Sequence, residues 1–388
     1  MTEKLYYKDP YIEEFESKVI SCEAYEDKFK VVLEKTAFFP EEGGQYSDRG
    51  FLNEIRVCDA FEDNGIIYHV TESAIKPGET VVGRIDFDER YEKMQCHSAE
   101  HILSGLIHTH YGLDNVGFHL GAEEVTMDIS APLTYEQLMK IENMANEVVY
   151  KNLPIDCSFP DKSELSKLEY RSKISVEENL RIVTIGEYDR CACCAPHVKS
   201  TGEIGLIKIL DFSCLRGGIR IRISAGRRAM RIFNAMQQNL AEISRLTSTP
   251  RLETAQAVKR VMLAAEETKN ELKNTRLTLY KKEASDIRNC EGNAVLVFSD
   301  ATVDELRTIA NIAVSKIGGI LVLLSGEEKN YKYVIASNCI DLRFEAKNIN
   351  AALCGKGGGS ANMIQGVFLA EISKIREYFD NTILQPRN

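Results

Sequence analysis

Long apolar runs are missing from this chain of 388 residues. The longest, such as GGILVLL, are far shorter than the roughly 20 residues that a membrane-spanning helix needs. The N-terminal stretch MTEKLYYKDPYIEEFESK is polar and acidic, which is not the pattern of a signal peptide. The 11 cysteines lack the regular spacing of a small secreted scaffold, which favours reduced thiols. We therefore expect a cytoplasmic protein without a membrane partner.

Basic residues are fewer than acidic ones, 48 against 58, and the net charge of −10 argues against a nucleic-acid partner. One segment argues for such a partner, because from Arg216 to Arg231 there are six arginines and no acidic residue. The alternative is that Arg220 and Arg222 form ion pairs with acidic residues elsewhere in the chain. The candidates for binding phosphates are Arg216, Arg220, Arg222, Arg227 and Arg228.

The length predicts two or three domains, and the patterning predicts an α+β multidomain fold. Short strands punctuated by Gly, Pro and Asn are typical of a small β-barrel or sandwich. Beyond them, GGIRIRIS alternates isoleucine with arginine, which predicts a strand with one apolar face. The expected segments are an N-terminal β-barrel domain at 1–90, an α+β domain at 91–225, a helical hairpin at 226–290 and a C-terminal α/β domain at 291–388.

Two pairs of metal-type side chains carry the strongest chemical signal: His97 with His101 in HSAEH, and Cys193 with His197 in CCAPH. The segment MQCHSAEHILSGLIHTHYG has apolar residues at helical spacing and predicts a helix that ends at Gly112. In a helix, i, i+4 spacing puts both side chains on one face, about one turn apart. Imidazole and thiolate are ligands that Zn²⁺ favours, and two such pairs can close a tetrahedral site or leave one position for water. The alternatives are chance spacing and histidines that are only hydrogen-bonded near a core.

The surroundings of each pair narrow its interpretation. Ser98 follows the first histidine where an H-E-x-x-H metalloprotease has its general base, so a protease is disfavoured. Near the second pair, Cys191 and Cys194 are alternative ligands to Cys193. A redox switch is a further possibility, because clustered thiols oxidise readily once they are ionised.

Two glycine-rich segments are weaker signals. In FFPEEGGQYSDRG, Gly43 and Gly44 allow backbone N–H groups to approach a ligand, and Gln45 adds a neutral donor and acceptor. Thr36 offers a hydroxyl just upstream, and an ordinary hairpin connection is the alternative interpretation. The second segment, GKGGGSANMIQG, lacks the residue order of a phosphate-binding loop and is expected to be a loop before a helix.

Together, HSAEH, CCAPHVKSTGEIG, PEEGGQYSDRG and IRISAGRRA resemble, in order, the editing region of alanyl-tRNA synthetases and the free-standing alanyl-tRNA editing proteins. The helical segment and the GKGGGS-containing domain resemble the C-terminal extension of the long form of that family. The resemblance covers essentially the whole chain. It implies hydrolysis of Ser-tRNA(Ala) and Gly-tRNA(Ala), with zinc held by His97, His101, Cys193 and His197.

This reaction also gives the remaining candidates a role. Alanine is smaller than serine, so a site must read the serine hydroxyl in order to spare Ala-tRNA(Ala). Thr36 and Gln45 are the expected readers, beside Gly43 and Gly44. The arginine segment would then bind tRNA(Ala), and the C-terminal domain would contact tRNA or form a homodimer. Two other classes are weighed against this enzyme: a non-catalytic tRNA-binding module held together by zinc, and a phosphoesterase.

Overall fold

The computed structural model describes residues 1–122, 124–172 and 180–381. Within these residues the fold contains α-helices and several β-sheets, so the predicted α+β multidomain class is confirmed. The chain divides into two compact units, Met1–Glu242 and Ile243–Asn388. None of the helices in the described part of the chain has the length and apolar character that a membrane crossing needs.

The first unit holds fifteen strands among its described residues, and these are β1 Glu3–Lys4, β2 Glu14–Tyr25, β3 Lys28–Leu33, β4 Lys35–Thr36, β5 Gly50–Leu52, β6 Ile55–Asp63, β7 Ile66–Thr71, β8 Thr80–Ile85, β9 Asn115–Leu120, β10 Val125–Ile129, β11 Ile155–Ser158, β12 Ile182–Ile185, β13 Asp189–Ala192, β14 Ile207–Leu215 and β15 Gly218–Ala225. Its described helices are α1 Phe87–Tyr111, α2 Tyr135–Tyr150, the short α3 Lys162–Leu165 and the start of α4 Gly226–Thr247.

Six of these strands close into a barrel in the order β2-β3-β7-β6-β5-β8. Alternating side chains of the strands point inward, and Val31, Leu33, Val57 and Val81 are fully or almost fully buried there. Two further sheets follow in the chain, with orders β14-β15-β10-β9 and β11-β12-β13.

Helix α1 is the centre of the second core, and residues Met94 to Ile107 are buried along it. It ends as the sequence predicts, because Gly112 adopts a left-handed conformation and its N–H donates to the carbonyl of His108. Strand β15 is confirmed as well. Its isoleucines 219, 221 and 223 face the core, while Arg220 and Arg222 lie on the other face.

The second unit carries the helix α5 Thr254–Asp286 and a five-stranded sheet in the order β16-β17-β18-β20-β19. The strands are β16 Ala294–Phe298, β17 Leu321–Glu327, β18 Asn330–Ala336, β19 Lys356–Gly359 and β20 Met363–Phe368, and the helices are α6 Val303–Ala313, α7 Leu342–Ala352 and α8 Ile372–Asn381. The expectation for GKGGGS was wrong: Lys356–Gly359 forms an edge strand that pairs with β20. Glycine has low strand propensity, so the sequence alone favoured a loop there.

Candidate metal centre

Four side chains from distant parts of the sequence meet beside helix α1. They are His97, His101, Cys193 and His197, and their ligand atoms, one per residue, all lie within 4.8 Å of one another. The Sγ of Cys193 is 3.6 Å from the Nε2 of His97 and 3.4 Å from the Nε2 of His197. A tetrahedral zinc ion would hold sulfur and nitrogen about 3.5 Å apart, so the donor set and its spacing fit such an ion.

The outer nitrogen of each histidine is held by a different residue. The Nδ1 of His97 donates to the Oε1 of Gln45 at 2.8 Å, because a carbonyl oxygen can only accept. The Nδ1 of His101 contacts Asp189 at 2.8 Å, and that of His197 contacts Ser98 at 3.0 Å. A proton on each Nδ1 leaves each Nε2 with a lone pair. Gln45 and Asp189 therefore hold His97 and His101 in the tautomer that binds a cation, and the Ser98 hydroxyl is able to accept from His197 in the same way.

The charge state of the Cys193 thiol favours metal binding. Burial opposes ionisation of Cys193, but the neighbouring His97 and His197 outweigh it and hold the pKa of this thiol well below its usual range. Burial raises the pKa of Cys191 to about 11. Since the thiolate is the metal ligand, the environment distinguishes the two cysteines.

The other two cysteines of this segment are not members of the four-residue group. Cys191 belongs to an overlapping group with His101 and Asp189. The Sγ of Cys194 lies near the glycine loop, residues 38–50, and is 3.6 Å from where a Cβ would stand on Gly43. Among the three cysteines, the structure therefore brings Cys193 together with all three histidines.

The glycine loop contacts the metal-ligand group through Gln45, which accepts a hydrogen bond from His97. Glu42 and Gln45 exchange backbone hydrogen bonds across Gly43 and Gly44, and both glycines have positive φ, as in a type I′ turn. The carbonyl of Gly44 accepts from the N–H of Leu120 at 2.7 Å, which ties the loop to β9. A Cβ on Gly44 would overlap the carbonyl oxygen of Phe118, so this position requires glycine.

One face of α1 holds both the loop and the metal ligands. Arg90, Lys93, His97 and His101 are spaced by three or four residues and therefore share a face. Arg90 binds the Oδ2 of Asp48 through its Nε at 2.8 Å, and Lys93 donates to the carbonyl of Ser47 at 2.6 Å. The Nζ of Lys93 also lies 3.7 Å from the ring centroid of Tyr46. These contacts anchor the loop directly after Gln45.

Thr36 lies inside the barrel region and is fully buried. Its hydroxyl is 2.8 Å from the Nε2 of His69 and accepts from the N–H of Phe38 at 3.1 Å. The Nδ1 of His69 donates to the carbonyl of Val31, and burial lowers the pKa of His69 to about 4, so the Thr36 hydroxyl donates to a neutral imidazole. In the hydrogen bonds of the described residues, Gln45 contacts a histidine of the cluster and Thr36 does not.

The predicted arginines are spread over β15 and its neighbours, and most of them have acidic partners. Arg220 binds both carboxylate oxygens of Asp128, at 2.7 and 2.8 Å. Arg222 pairs with Glu124 and Asp211, and Arg227 pairs with Asp88. Arg228 is buried and donates to the carbonyl of Gly121 at 3.1 Å. Arg216 is exposed in the turn between β14 and β15.

Sequence reasoning missed the residues that orient the ligands. Asp189 and Ser98 hold two of the histidines, and Arg171 donates to Asp189 at 2.7 Å. Ser98 stands within HSAEH, and Asp189 precedes Cys193 by four residues, so a polar side chain beside each ligand pair was the available signal. Nothing in the pattern indicates which histidine each of them contacts.

Two family models of tRNA synthetases match parts of the chain. The family model described as threonyl and alanyl tRNA synthetase second additional domain matches residues 180–228, which include Cys193 and His197. The model described as tRNA synthetases class II (A) matches residues 5–89.

One similar protein is an alanyl-tRNA editing protein. The chain is 29% identical to the alanyl-tRNA editing protein AlaX-L of Pyrococcus horikoshii, over 98% of this chain and 97% of that protein. The predicted resemblance to the long form of the alanyl-tRNA editing proteins is therefore confirmed over essentially the whole chain.

Alanine–tRNA ligases are similar to the chain as well. Those of Methanococcus maripaludis and Archaeoglobus fulgidus are 30% and 32% identical over 97% and 94% of the chain. The chain spans less than half of these ligases, 43% and 42%. The crystal structure of the C-Ala domain from Aquifex aeolicus alanyl-tRNA synthetase matches 22% of this chain and 84% of that chain, with 19% identity and a TM-score of 0.20.

Proposed function

We propose that this chain hydrolyses the ester bond of tRNA(Ala) charged with serine or glycine and spares Ala-tRNA(Ala). The observation that carries the proposal is the group formed by His97, His101, Cys193 and His197, with the glutamine of the glycine loop bound to one of its histidines. The whole-length similarity to an alanyl-tRNA editing protein supports the same reaction.

The proposed cofactor is Zn²⁺, held by these four side chains, because three imidazoles and one thiolate match its preferred ligands. When bound, zinc supplies a Lewis acid that can lower the pKa of a water or hold the substrate amine or hydroxyl. Gln45, Asp189 and Ser98 keep the imidazoles in the binding tautomer. Cys193 is partly exposed whereas the histidines are buried, so the substrate approaches from the side of Cys193.

Discrimination between serine and alanine is assigned to Thr36, Gln45 and the two glycines. The Oε1 of Gln45 accepts from His97, but its buried Nε2 has no hydrogen-bond partner among the residues that the structure describes. A buried unpaired donor costs free energy, and a substrate oxygen placed there would remove that cost. An alanyl group has no hydroxyl, so it leaves the donor unpaired, which is the physical basis of rejection in hydroxyl-reading sites. A glycyl group has no hydroxyl either, so this contact separates serine, and not glycine, from alanine.

Contacts with the rest of the tRNA are assigned to Arg216, Arg220, Arg222, Arg227 and Arg228. Arg220 and Arg222 would exchange their carboxylate partners for phosphates, and the pairs of Arg222 with Glu124 and Asp211 are exposed, so they contribute little to stability. In the proposed division, 1–90 is the barrel domain, 91–225 is the editing domain, 226–290 is the helical segment, and 291–388 binds tRNA or a second copy of the chain.

A second candidate function is a non-catalytic tRNA-binding module. One observation favours it: four protein ligands around one ion leave no position for water, as in structural zinc sites. Hydrolysis of the ester distinguishes the two candidates.

The test incubates the zinc-loaded chain with Ser-tRNA(Ala), Gly-tRNA(Ala) and Ala-tRNA(Ala), together with a model phosphodiester, and follows the release of each product. We expect free serine and glycine, intact Ala-tRNA(Ala) and an intact phosphodiester. Binding of all three tRNAs without release would support the non-catalytic module. Cleavage of the phosphodiester alone would support a phosphoesterase, and either result would overturn the proposed function.

A further inference from the structure

The sheet β11-β12-β13 aligns three residues at one end. In its last paired row, Ser158 lies opposite Ile182, and Ile182 lies opposite Ala192. The next residues in that direction are Phe159, Arg181 and Cys193. The row continues past the sheet, because the N–H of Cys193 donates to the carbonyl of Arg181 at 3.0 Å.

Arg181 stiffens this row. Its side chain is buried, and its Nη1 donates to the carbonyls of Cys193 at 2.9 Å and Ala195 at 2.8 Å. The same guanidinium lies 5.5 Å from the ring centroid of Tyr7. Arg181 therefore links the cysteine of the metal group to an aromatic ring on the 3₁₀ helix Leu5–Tyr7.

Phe159 completes an aromatic pair at this place. Its ring packs edge-on against Tyr7, with centroids 5.3 Å apart and planes at 70°. Tyr7 is in turn held by Tyr6, with centroids 4.7 Å apart. Phe159 nevertheless remains 50% exposed. The ring is thus supported from one side and open to solvent on the other.

We propose that Phe159, supported by Tyr7, is the platform on which the 3′-terminal nucleobase of the aminoacyl-tRNA stacks. This inference rests on the proposed function. The ester is carried by the ribose of the terminal adenosine, so the base must lie close to the reacting carbonyl. Neighbouring strands are about 4.8 Å apart, which puts the backbone of Phe159 about 10 Å from that of Cys193. A nucleoside spans this interval with its ester at the metal group and its base on the ring.

The platform has a defined energetic role. Stacking of a base on an aromatic side chain contributes roughly 5- to 150-fold in affinity and does not require hydrogen bonds to the base. Every tRNA ends in the same nucleotide, so Phe159 holds correct and incorrect aminoacyl groups equally. It strengthens binding of the acceptor end and leaves discrimination to the residues around Gln45.

A fluorescence experiment tests the platform without any hydrolysis. The chain contains no tryptophan, so Phe159→Trp introduces a single indole. We expect adenosine 5′-monophosphate to quench this indole saturably, whereas ribose 5-phosphate leaves it unchanged. Tyr150→Trp is the matched control, since Tyr150 is also an exposed aromatic of the first unit. Absence of saturable quenching at position 159, or equal quenching at both positions, would overturn the platform.

A kinetic experiment then connects the platform to the reaction. The parent chain, Phe159→Ala and Phe159→Tyr are compared on 3′-O-seryladenosine and on a seryl ester that has no base. We expect Phe159→Ala to raise KM for the adenosine ester about tenfold at unchanged kcat. Phe159→Tyr should retain the parent KM, and the ester without a base should not distinguish the variants.

The two proposals fail in different ways. If the parent chain hydrolyses neither ester, the proposed function is wrong. The fluorescence experiment alone then tests whether a nucleobase stacks at position 159. If the parent hydrolyses both esters and Phe159→Ala keeps the parent KM for the adenosine ester, the platform is wrong and the proposed function stands.

Discussion

The Nδ1 of His101 donates to the Oδ2 of Asp189 over 2.8 Å, deep inside the first unit. The other carboxylate oxygen of Asp189 accepts from the Nε of Arg171 at 2.7 Å. Burial opposes the charge on Asp189, but its two partners outweigh burial and lower the pKa of this carboxyl group. A buried carboxylate thus orients one ligand histidine while an arginine holds the carboxylate in place.

Asp189→Asn should weaken zinc binding about 10- to 100-fold, because an uncharged partner orients the imidazole less firmly and makes it a poorer donor. Competition with a chromophoric chelator measures the affinity. Ser98→Ala is the comparison and should cost less, since Ser98 is a neutral partner of His197. A thermal melt of both metal-free variants separates loss of affinity from loss of fold. Unchanged zinc affinity in Asp189→Asn would show that this carboxylate serves only the fold.

Elemental analysis of chain purified without added metal should show about one zinc per chain, because the four ligands form one site. Cys193→Ser should lose most of it, since it removes the thiolate. Cys191→Ser is the matched control and should retain the metal, two residues away in the same segment. A metal-free chain with full hydrolytic activity would rule out the zinc assignment.

Gly44→Ala should impair the glycine loop far more than Gly43→Ala. Both positions have positive φ, which costs a residue with a side chain about 1–2 kcal/mol. At Gly44 the added Cβ also overlaps the carbonyl oxygen of Phe118, whereas at Gly43 the nearest atom is 3.6 Å away. We expect Gly44→Ala to displace Gln45 and reduce kcat/KM for Ser-tRNA(Ala) at least tenfold more than Gly43→Ala. Equal losses would mean that close approach to Phe118 has no bearing on catalysis.

Thr36→Val should narrow the preference for Ser-tRNA(Ala) over Ala-tRNA(Ala), if the hydroxyl takes part in reading serine. It should also cost about 1–3 kcal/mol of stability, because the Nε2 of His69 and the N–H of Phe38 lose their partner. Thr36→Ser keeps the hydroxyl and should retain both properties. The ratio of kcat/KM values and a urea melt are the measurements. A changed melt with an unchanged ratio would restrict Thr36 to a structural role.

Replacing Arg220 and Arg222 together by Gln should weaken tRNA binding and flatten its dependence on salt. Each phosphate contact contributes roughly 0.9 to the slope of log affinity against log salt concentration, so we expect a decrease of about two. Zinc content should not change. If the slope is unaffected, the ion pairs with Asp128, Glu124 and Asp211 are the whole role of these two arginines.

Local patterns predicted the elements that carry the site. The end of α1 at Gly112 and the alternation in β15 follow from capping and side-chain periodicity, and the structure shows both. The structure brings together the four side chains that the i, i+4 spacings single out. Cys193 and His197 share no helix, however: His197 follows β13 in irregular backbone, so their proximity comes from a turn and not from a helical face.

Contacts between distant segments could not be predicted. The bond from Gln45 to His97 joins residues 52 positions apart, and that from His101 to Asp189 joins residues 88 positions apart. The carboxylates that face Arg220 and Arg222 come from two separate segments, Glu124 and Asp128 at β10 and Asp211 in β14. The periodicity and spacing of residues in the sequence describe one helix or strand at a time. These contacts depend instead on how different helices and strands pack against each other.

The face of α1 that carries Arg90, Lys93, His97 and His101 makes this segment sensitive to its length. One inserted residue between Lys93 and His97 would turn both histidines about 100° around the helix axis and move them about 1.5 Å along it. Arg90 and Lys93 would still hold Asp48 and Ser47, but neither imidazole would meet Gln45 or Cys193. A relative with one residue inserted or deleted here would not form the metal-ligand group, even if it retained two pairs of ligand residues. The number of residues between Lys93 and His97 is therefore as much a requirement of the metal group as the identity of its ligands.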